Sequence, residues 1–270
     1  MKRILAGLIL AALAAPAMAA DLAPRTYTKA APIEPGYNWS GWYVGGNAGY
    51  AWGQSNPATS TEFTPTNYWN LLSVPQISAA GTGGRVNTNG FIGGGQAGYN
   101  FQTGNLVLGG EVDFESFNLK GSRSGGAVYA CCAPSSFVLN QTTSTDWLFT
   151  ARGRVGFAAN NLLVYATGGL AVTNLKYGET FVDTFGANEA VNYSKTKAGW
   201  TAGAGAEYGI TKNWTVKAEY LYLDFGGLSG TSLLGPVAVT GACNCTRMFH
   251  STDLTASVAR LGVNYRFGGY

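Results

Sequence analysis

A few groups of residues have the types and spacing to do chemistry. Cys131-Cys132 and Cys243-Asn244-Cys245 bring four thiols into two short stretches. Thiols so placed can close as disulfides, between the stretches or within them, or can offer four thiolates to a soft metal. His250 is the only histidine, with Ser251 beside it and Asp253 close by. A hydrolytic constellation needs these groups to converge, but adjacent residues of an extended chain point to opposite faces. His250 therefore reads as a solvated loop histidine. Gly93-x-Gly95-x-x-Gly98 has the letters of a dinucleotide fingerprint, yet it lies in a strand pattern with no helix after it. Glu111, Asp113 and Glu115 recur at every second residue, as do Arg152 and Arg154. On neighbouring strands such acids and bases share a face and can pair. None of this specifies a reaction, a metal or a cofactor, and no enzyme is expected.

The elements that must position these groups are strands. In "GWYVGGNAGYAWG" one parity gives Trp42, Val44, Gly46, Ala48, Tyr50 and Trp52, and the other Tyr43, Gly45, Asn47, Gly49 and Ala51. The same period of two returns in "GFIGGGQAGYNF", "LVLGGEVDFESF", "WLFTARGRVGF", "LLVYATGGLAV", "KAGWTAGAGAEY", "WTVKAEYLYL" and the closing "VARLGVNYRF". In each segment one face is apolar, and where charges occur they fall on the other face. The ten steps from Trp42 to Trp52 span roughly 25 Å for a tilted strand, the height of an apolar membrane band between aromatic girdles. Trp42, Trp52, Trp147, Trp200 and Trp214 are the girdle candidates.

Composition separates a membrane barrel from a soluble one. Only 11% of the 270 residues are charged, against ~25% in ordinary soluble domains. The polar faces hold Glu111, Asp113, Glu115, Glu207 and Glu219 with Arg152, Arg154, Lys217, Arg260 and Arg266. That is too little charge for a solvated exterior, but it suits a narrow lumen lined by balanced ion pairs. Pairing that fills the lumen outweighs a gated pore, since eight strands leave room only for side chains. Residues 1–19 combine Lys2 and Arg3, an apolar run and Ala17-Met18-Ala19, which reads as a signal peptide cleaved after Ala19. Removing it leaves 15 basic and 14 acidic residues, so nucleic acid is excluded as a partner. Residues 20–38 read as a proline-rich periplasmic segment, and residues 39–270 as the barrel.

Connections alternate in length. Gln102–Asn105, Ala158–Asn161 and Gly209–Asn213 are tight turns. Residues 55–89, 119–144, 174–196 and 226–252 read as four long extracellular loops rich in Ser, Thr, Asn and Gly. The expected fold is all-β: an eight-stranded antiparallel up-and-down transmembrane β-barrel. Its last strand must pair with its first to leave no open edge. Tyr68, Trp69, Tyr129, Phe137 and Phe249 would then lie in loops facing the outside.

"WSGWYVGGNAGYAWG", "VKAEYLYLDFG" and "RLGVNYRF" together resemble the small outer-membrane surface antigens of the opacity and RopB-like β-barrel family. The resemblance covers about Asn38 to Phe267. It implies a non-enzymatic integral barrel of the cell outer membrane, in contact with lipid and lipopolysaccharide. It also implies a terminal signal read by the barrel-assembly machinery, which maps onto Arg260, Gly262, Tyr265 and Phe267. Family members usually end at that phenylalanine, whereas this chain continues through Gly268-Gly269-Tyr270. The implied role is a structural surface antigen supporting envelope integrity. The alternatives are a narrow porin-like channel and a receptor or adhesin that binds an extracellular ligand through its loops.

Overall fold

A computed structural model describes residues 37–235 and 246–267. Ala17 and Ala19, nearly all of the proline-rich segment, Cys243, Cys245 and Gly268–Tyr270 lie outside these residues.

One antiparallel sheet contains every described strand. In chain order these are β1 (Gly41–Ser55), β2 (Ala58–Thr61), β3 (Val86–Thr103), β4 (Leu106–Phe117) and β5 (Lys120–Val128). They continue as β6 (Ser136–Ala159), β7 (Leu162–Asp183), β8 (Asn188–Gly209), β9 (Trp214–Leu233) and β10 (Arg247–Arg266). A single helix, α1 (Ser73–Thr82), lies between β2 and β3. Eight strands form the ring β1-β10-β9-β8-β7-β6-β4-β3, which closes because β1 pairs with both β10 and β3. Tyr43 opposes Arg266 and Gln54 opposes Thr255, so the last strand is zipped to the first along its length. Closure leaves no open edge, the condition that lipid imposes on a sheet.

The outward parity carries the large exposed apolar side chains. Trp42, Tyr99, Trp214 and Tyr265 gather at one end of this band, with Trp42 on Tyr99 and Trp214 on Tyr265 at 5.1 Å between ring centres. Trp52, Trp200 and Tyr222 gather at the other, and Trp147 stacks on Phe114. The short turns lie at the first end. Two of them use left-handed residues, Gly104 (φ 58°) and Asn160 (φ 53°), as tight hairpins require.

Three of the four stretches expected as long loops are mostly strand. β6, β7 and β8 run 24, 22 and 22 residues, about twice what a membrane crossing needs. Two bulges account for part of the difference. The β6–β7 register shifts between Thr145 and Leu148. Below it Leu148, Thr150 and Arg152 are buried; above it the buried residues are Thr145, Thr143 and Gln141. The inward parity therefore changes, and a period-two pattern read along the sequence stops at Trp147. The β9–β10 register shifts near Asp253. Opposite it Gly226 adopts φ 62°, and burial passes from Phe225 to Leu228, as a glycine bulge dictates. In β7 and β8 no parity change occurs. There the outward positions simply turn polar, as at Lys176, Thr180, Ser194 and Thr196, because no lipid faces them.

The remaining long connection, between β1 and β3, is built. β2 pairs with β10 in line with β1, and β5 pairs with β6 in line with β4. Helix α1 packs between β2 and β5 at this level. Asn70 Oδ1 accepts from the backbone of Leu72 and Ser73, both at 3.0 Å, and starts the helix. Arg123 closes its other end, donating to the Ala80 carbonyl at 2.8 Å and the Gly81 carbonyl at 3.3 Å, where a cation suits the helix dipole.

A side chain at Gly226 would meet nothing within 4 Å, so only its left-handed backbone resists substitution. Gly226→Ala is expected to lower the unfolding free energy by about 1–2 kcal/mol, measured by urea titration of the lipid-reconstituted protein. Gly226→Asn is expected to cost less.

Candidate functional site

The inward parity stacks the lumen in layers. The layer at membrane depth is charged. Glu111, Asp113 and Glu115 come from β4, Arg152 and Arg154 from β6, Glu207 from β8, Lys217 and Glu219 from β9 and Arg260 from β10. All nine are buried. Register places Glu111 opposite Arg152 and Glu219 opposite Arg260. The strongest contacts also cross the lumen. Arg152 reaches Asp113 at 2.8 Å on its own side and Glu219 at 3.0 Å on the far wall. Lys217 Nζ lies 2.8 Å from Glu111 Oε1 across the interior. Arg260 holds Asp113 at 3.0 Å, together with Glu115 and Glu219. Each arginine thus presents its planar fork to several carboxylates.

Neutral groups complete the layer. Tyr43 donates to Glu111 Oε2 at 2.8 Å, and Tyr165 to Glu219 Oε1 at 3.0 Å. Gly98 and Gly205 have no side chain where these two tyrosine rings pass. Arg154 sits 4.8 Å from the Tyr43 ring centre and 5.1 Å from that of Tyr165, and pairs with Glu207 at 3.2 Å. Burying such charges is favourable only when both signs and the remaining hydrogen-bonding positions are satisfied, and this layer is densely cross-linked.

Arg266, expected among these carboxylates, forms no ion pair among the described residues. It sits at the short-turn mouth, opposite Tyr43 in register. Its guanidinium donates to the Asn38 and Ser40 carbonyls and lies over the rings of Tyr37, at 4.9 Å, and Trp39, at 5.4 Å. The carboxylates lie too far up the strands for it to reach. Trp39, Leu163 and Val107 pack into an apolar layer at this end.

Above the charged layer lies an apolar one, including Phe117, Leu148, Leu221, Leu223 and Phe225. Above that, a second polar layer surrounds His250. This residue stands seven positions beyond Ser257, the partner of Trp52, roughly 20 Å further along the strand and outside the membrane band. It is 3% exposed, not a solvated loop residue. Its Nδ1 faces Glu179 Oε2 and its Nε2 faces Glu189 Oε1, each at 3.4 Å. Burial alone lowers the pKa of the imidazole, but hydrogen bonding to Glu179 and Glu189, and their charges, raise it to about 9. Thr59 and Tyr177 donate to Glu179 Oε2, and Gln141 donates to it at 3.1 Å. Ser232 Oγ lies 2.7 Å from Nε2, while its own proton is directed to Glu189. The imidazole therefore acts as donor to this serine rather than as its base, unlike a hydrolytic triad.

The sequence carried a signal for this layer. The even-numbered residues of β10 face inward from Arg266 through Arg260 and Leu254 to His250 without interruption. Polar outward residues such as Ser251 and Asp253 hid that continuity. The outermost layer is aromatic and includes Trp69, Tyr129, Phe137 and Phe181. Three aromatics expected to display themselves to an outside ligand, Trp69, Tyr129 and Phe137, are buried there instead.

Cys131 and Cys132 are bonded to each other in the turn after β5. Neither sulfur is left to staple this stretch to Cys243 or Cys245, or to join a four-thiolate metal site. At the other end Phe267 is half exposed, donates its backbone N–H to the Trp42 carbonyl at 2.8 Å and packs edge-on against Tyr265. Gly262 lies beneath the Lys217 stem.

Residues 6–267 match the family described as outer membrane protein beta-barrel domain. The chain belongs to this family. It is 37% identical to the 31 kDa outer-membrane immunogenic protein of Brucella melitensis biotype 1, over 99% of this chain and 100% of that one. It is 30% identical to the 22 kDa outer membrane protein of Rhizobium leguminosarum bv. viciae, over 72% of this chain and 68% of that one. Among solved structures, OprG from Pseudomonas aeruginosa superposes with a TM-score of 0.44 at 10% identity, covering 85% of this chain and 97% of that one. This member of the barrel family is a surface-exposed protein of the outer membrane.

Arg152 serves three carboxylates at once. Arg152→Met leaves Glu111, Asp113 and Glu219 short of a cation and is expected to destabilise the barrel by about 3–5 kcal/mol. Urea unfolding followed by tryptophan fluorescence in lipid vesicles measures it.

Proposed function

We propose that the protein is a non-enzymatic structural barrel that supports the integrity of the outer membrane and presents its protruding extracellular half at the cell surface. The observation that carries this reading is the set of cross-lumen ion pairs, Arg152 to Glu219, Lys217 to Glu111 and Arg260 to Asp113. They tie opposite walls together and fill the space a solute would need. Apolar and aromatic layers above and below add to the obstruction. A narrow channel requires these ties to part together, and each cross-lumen tie broken in so dry an interior is costly. The name of the Brucella relative, an immunogenic protein, accords with surface display.

The same reading makes lipid and lipopolysaccharide the contacts of the outer face. It assigns Arg260, Gly262, Tyr265 and Phe267 to recognition by the barrel-assembly machinery. It takes residues 1–19 as the export signal and residues 20–38 as a periplasmic segment.

Planar-bilayer recording tests the closed lumen. The wild-type protein is expected to show no steady open level, and Glu111→Ala to raise the frequency of brief openings. A large, stable wild-type conductance overturns the structural role in favour of a channel.

Assembly gives an independent test. Phe267→Ala is expected to lower the heat-modifiable, membrane-inserted fraction by more than deletion of residues 268–270 does. Equal insertion of Phe267→Ala and wild type counts against the terminal signal.

A further inference from the structure

The charged layer at membrane depth and the layer around His250 differ in one respect. In the first, carboxylates meet arginine and lysine from several sides. In the second, Glu179 on β7 and Glu189 on β8 have His250 on β10 as their only ion-pair partner among the described residues. Two buried carboxyl groups thus share a single imidazole, and any charge left unbalanced in such a setting is costly. Glu179 Oε1 and Glu189 Oε2 are moreover buried without a hydrogen-bond partner among the described residues.

The spacing suggests what would balance them. One ligand atom from each of the three residues can be chosen so that all lie within 4.8 Å of one another. The two imidazole-to-carboxylate distances are 3.4 Å, longer than a good N–H···O hydrogen bond. Each runs from a different ring nitrogen to its own glutamate, so each nitrogen–carboxylate pair taken singly matches one edge, roughly 3.3–3.4 Å, of a tetrahedron of ligands about 2.0–2.1 Å from a central ion. Hydroxyls from Thr59 and Tyr177 donate to Glu179 Oε2, and that of Ser232 to Glu189 Oε1, which fixes both carboxylates in place as the outer partners of metal ligands commonly do. The donor set is one imidazole nitrogen and carboxylate oxygens, which suits a divalent first-row ion such as Zn²⁺ or Mn²⁺ better than Ca²⁺ or Cu⁺.

We infer that Glu179, Glu189 and His250 form a binding site for one divalent transition-metal ion inside the extracellular half of the barrel. Binding takes the imidazole in its neutral form, so one proton leaves as the ion enters, and two carboxylates then balance the dication. Either ring nitrogen can serve, since each already faces a carboxylate, and rotation of the other glutamate completes the set. The occupied site ties β7, β8 and β10 together across the protruding half. Because it involves no reaction, it stands or falls independently of the closed lumen proposed above.

The test uses the full chain folded in detergent, stripped with chelator and titrated with Zn²⁺ and Co²⁺. Cys243 and Cys245 are competing ligands, so C243S/C245S is titrated alongside. Expected are one saturable equivalent in both proteins and a visible Co²⁺ absorption without thiolate charge-transfer bands. Resistance of the extracellular half to protease should rise on loading. Glu189→Gln and His250→Gln should each weaken Zn²⁺ binding more than about tenfold, with unheated gel mobility confirming the folded barrel. Should His250→Gln fail that mobility check, Glu179→Gln takes its place. Binding that disappears in C243S/C245S, survives undiminished in the folded Glu189→Gln and His250→Gln variants, or is absent from wild type at millimolar Zn²⁺ overturns the site.

Discussion

Every backbone N–H and C=O that crosses lipid needs a partner within the protein, and the rest of the structure depends on that constraint. A sheet meets it only by closing on itself, which is why β10 returns to β1 along almost its whole length. Closing on eight strands then sets the width of the interior, leaving room for side chains and little else. Whatever points inward must pack against the far wall, and whatever is charged must find its counter-charge there. The ties from Arg152 to Glu219 and from Lys217 to Glu111 follow from this geometry. They link β6 to β9 and β9 to β4, strands that share no backbone ladder.

The lumen answers this demand in layers rather than as a mixture. Arg266 with Trp39, the arginine–carboxylate layer, the Phe117–Phe225 layer, the His250 layer and the Trp69–Phe181 layer alternate in polarity along the axis. Segregation of this kind lets polar groups satisfy one another while excluding water from above and below. In such a setting electrostatic interactions are stronger, and the cost of any unpaired charge rises with them. The layers also explain where small residues are needed. Tyr43 and Tyr165 reach their glutamates by crossing positions where Gly98 and Gly205 offer no side chain.

Much of this was legible in the sequence, because a strand reports its two faces at every second residue. The eight segments and the inward charges on β4, β6, β8, β9 and β10 follow from parity, and closure follows from the requirement that lipid meet no open sheet edge. What parity could not supply falls into two kinds. At Thr145–Leu148 and at Gly226 a bulge exchanges the inward and outward sets, and a reading that assumes a constant phase stops there. Along β7, β8 and β10 the phase is constant, but the outward residues cease to be apolar. A pattern that identifies strands by a greasy outer face mistakes Lys176, Thr180 and Ser251 for loop. His250 was lost to this second cause. Arg266 shows a different limit: parity gives the face of a side chain but not the height at which its partners lie.

The protruding half therefore rests on a different physical basis from the membrane half. Within the band, outward side chains are held by lipid and inward ones by the lumen, so both parities are constrained. Beyond it, the walls are held from inside alone, by α1, by the aromatic layer over Trp69, Ile77 and Phe181, and by the groups around His250. Outward positions such as Asn140, Thr142, Thr180 and Ser194 touch neither lipid nor core. Their identity contributes little to stability, because surface substitutions away from caps and packing change it only slightly. A rim built in this way keeps its shape while its outer chemistry is free to vary, a property suited to a protein displayed at the cell surface.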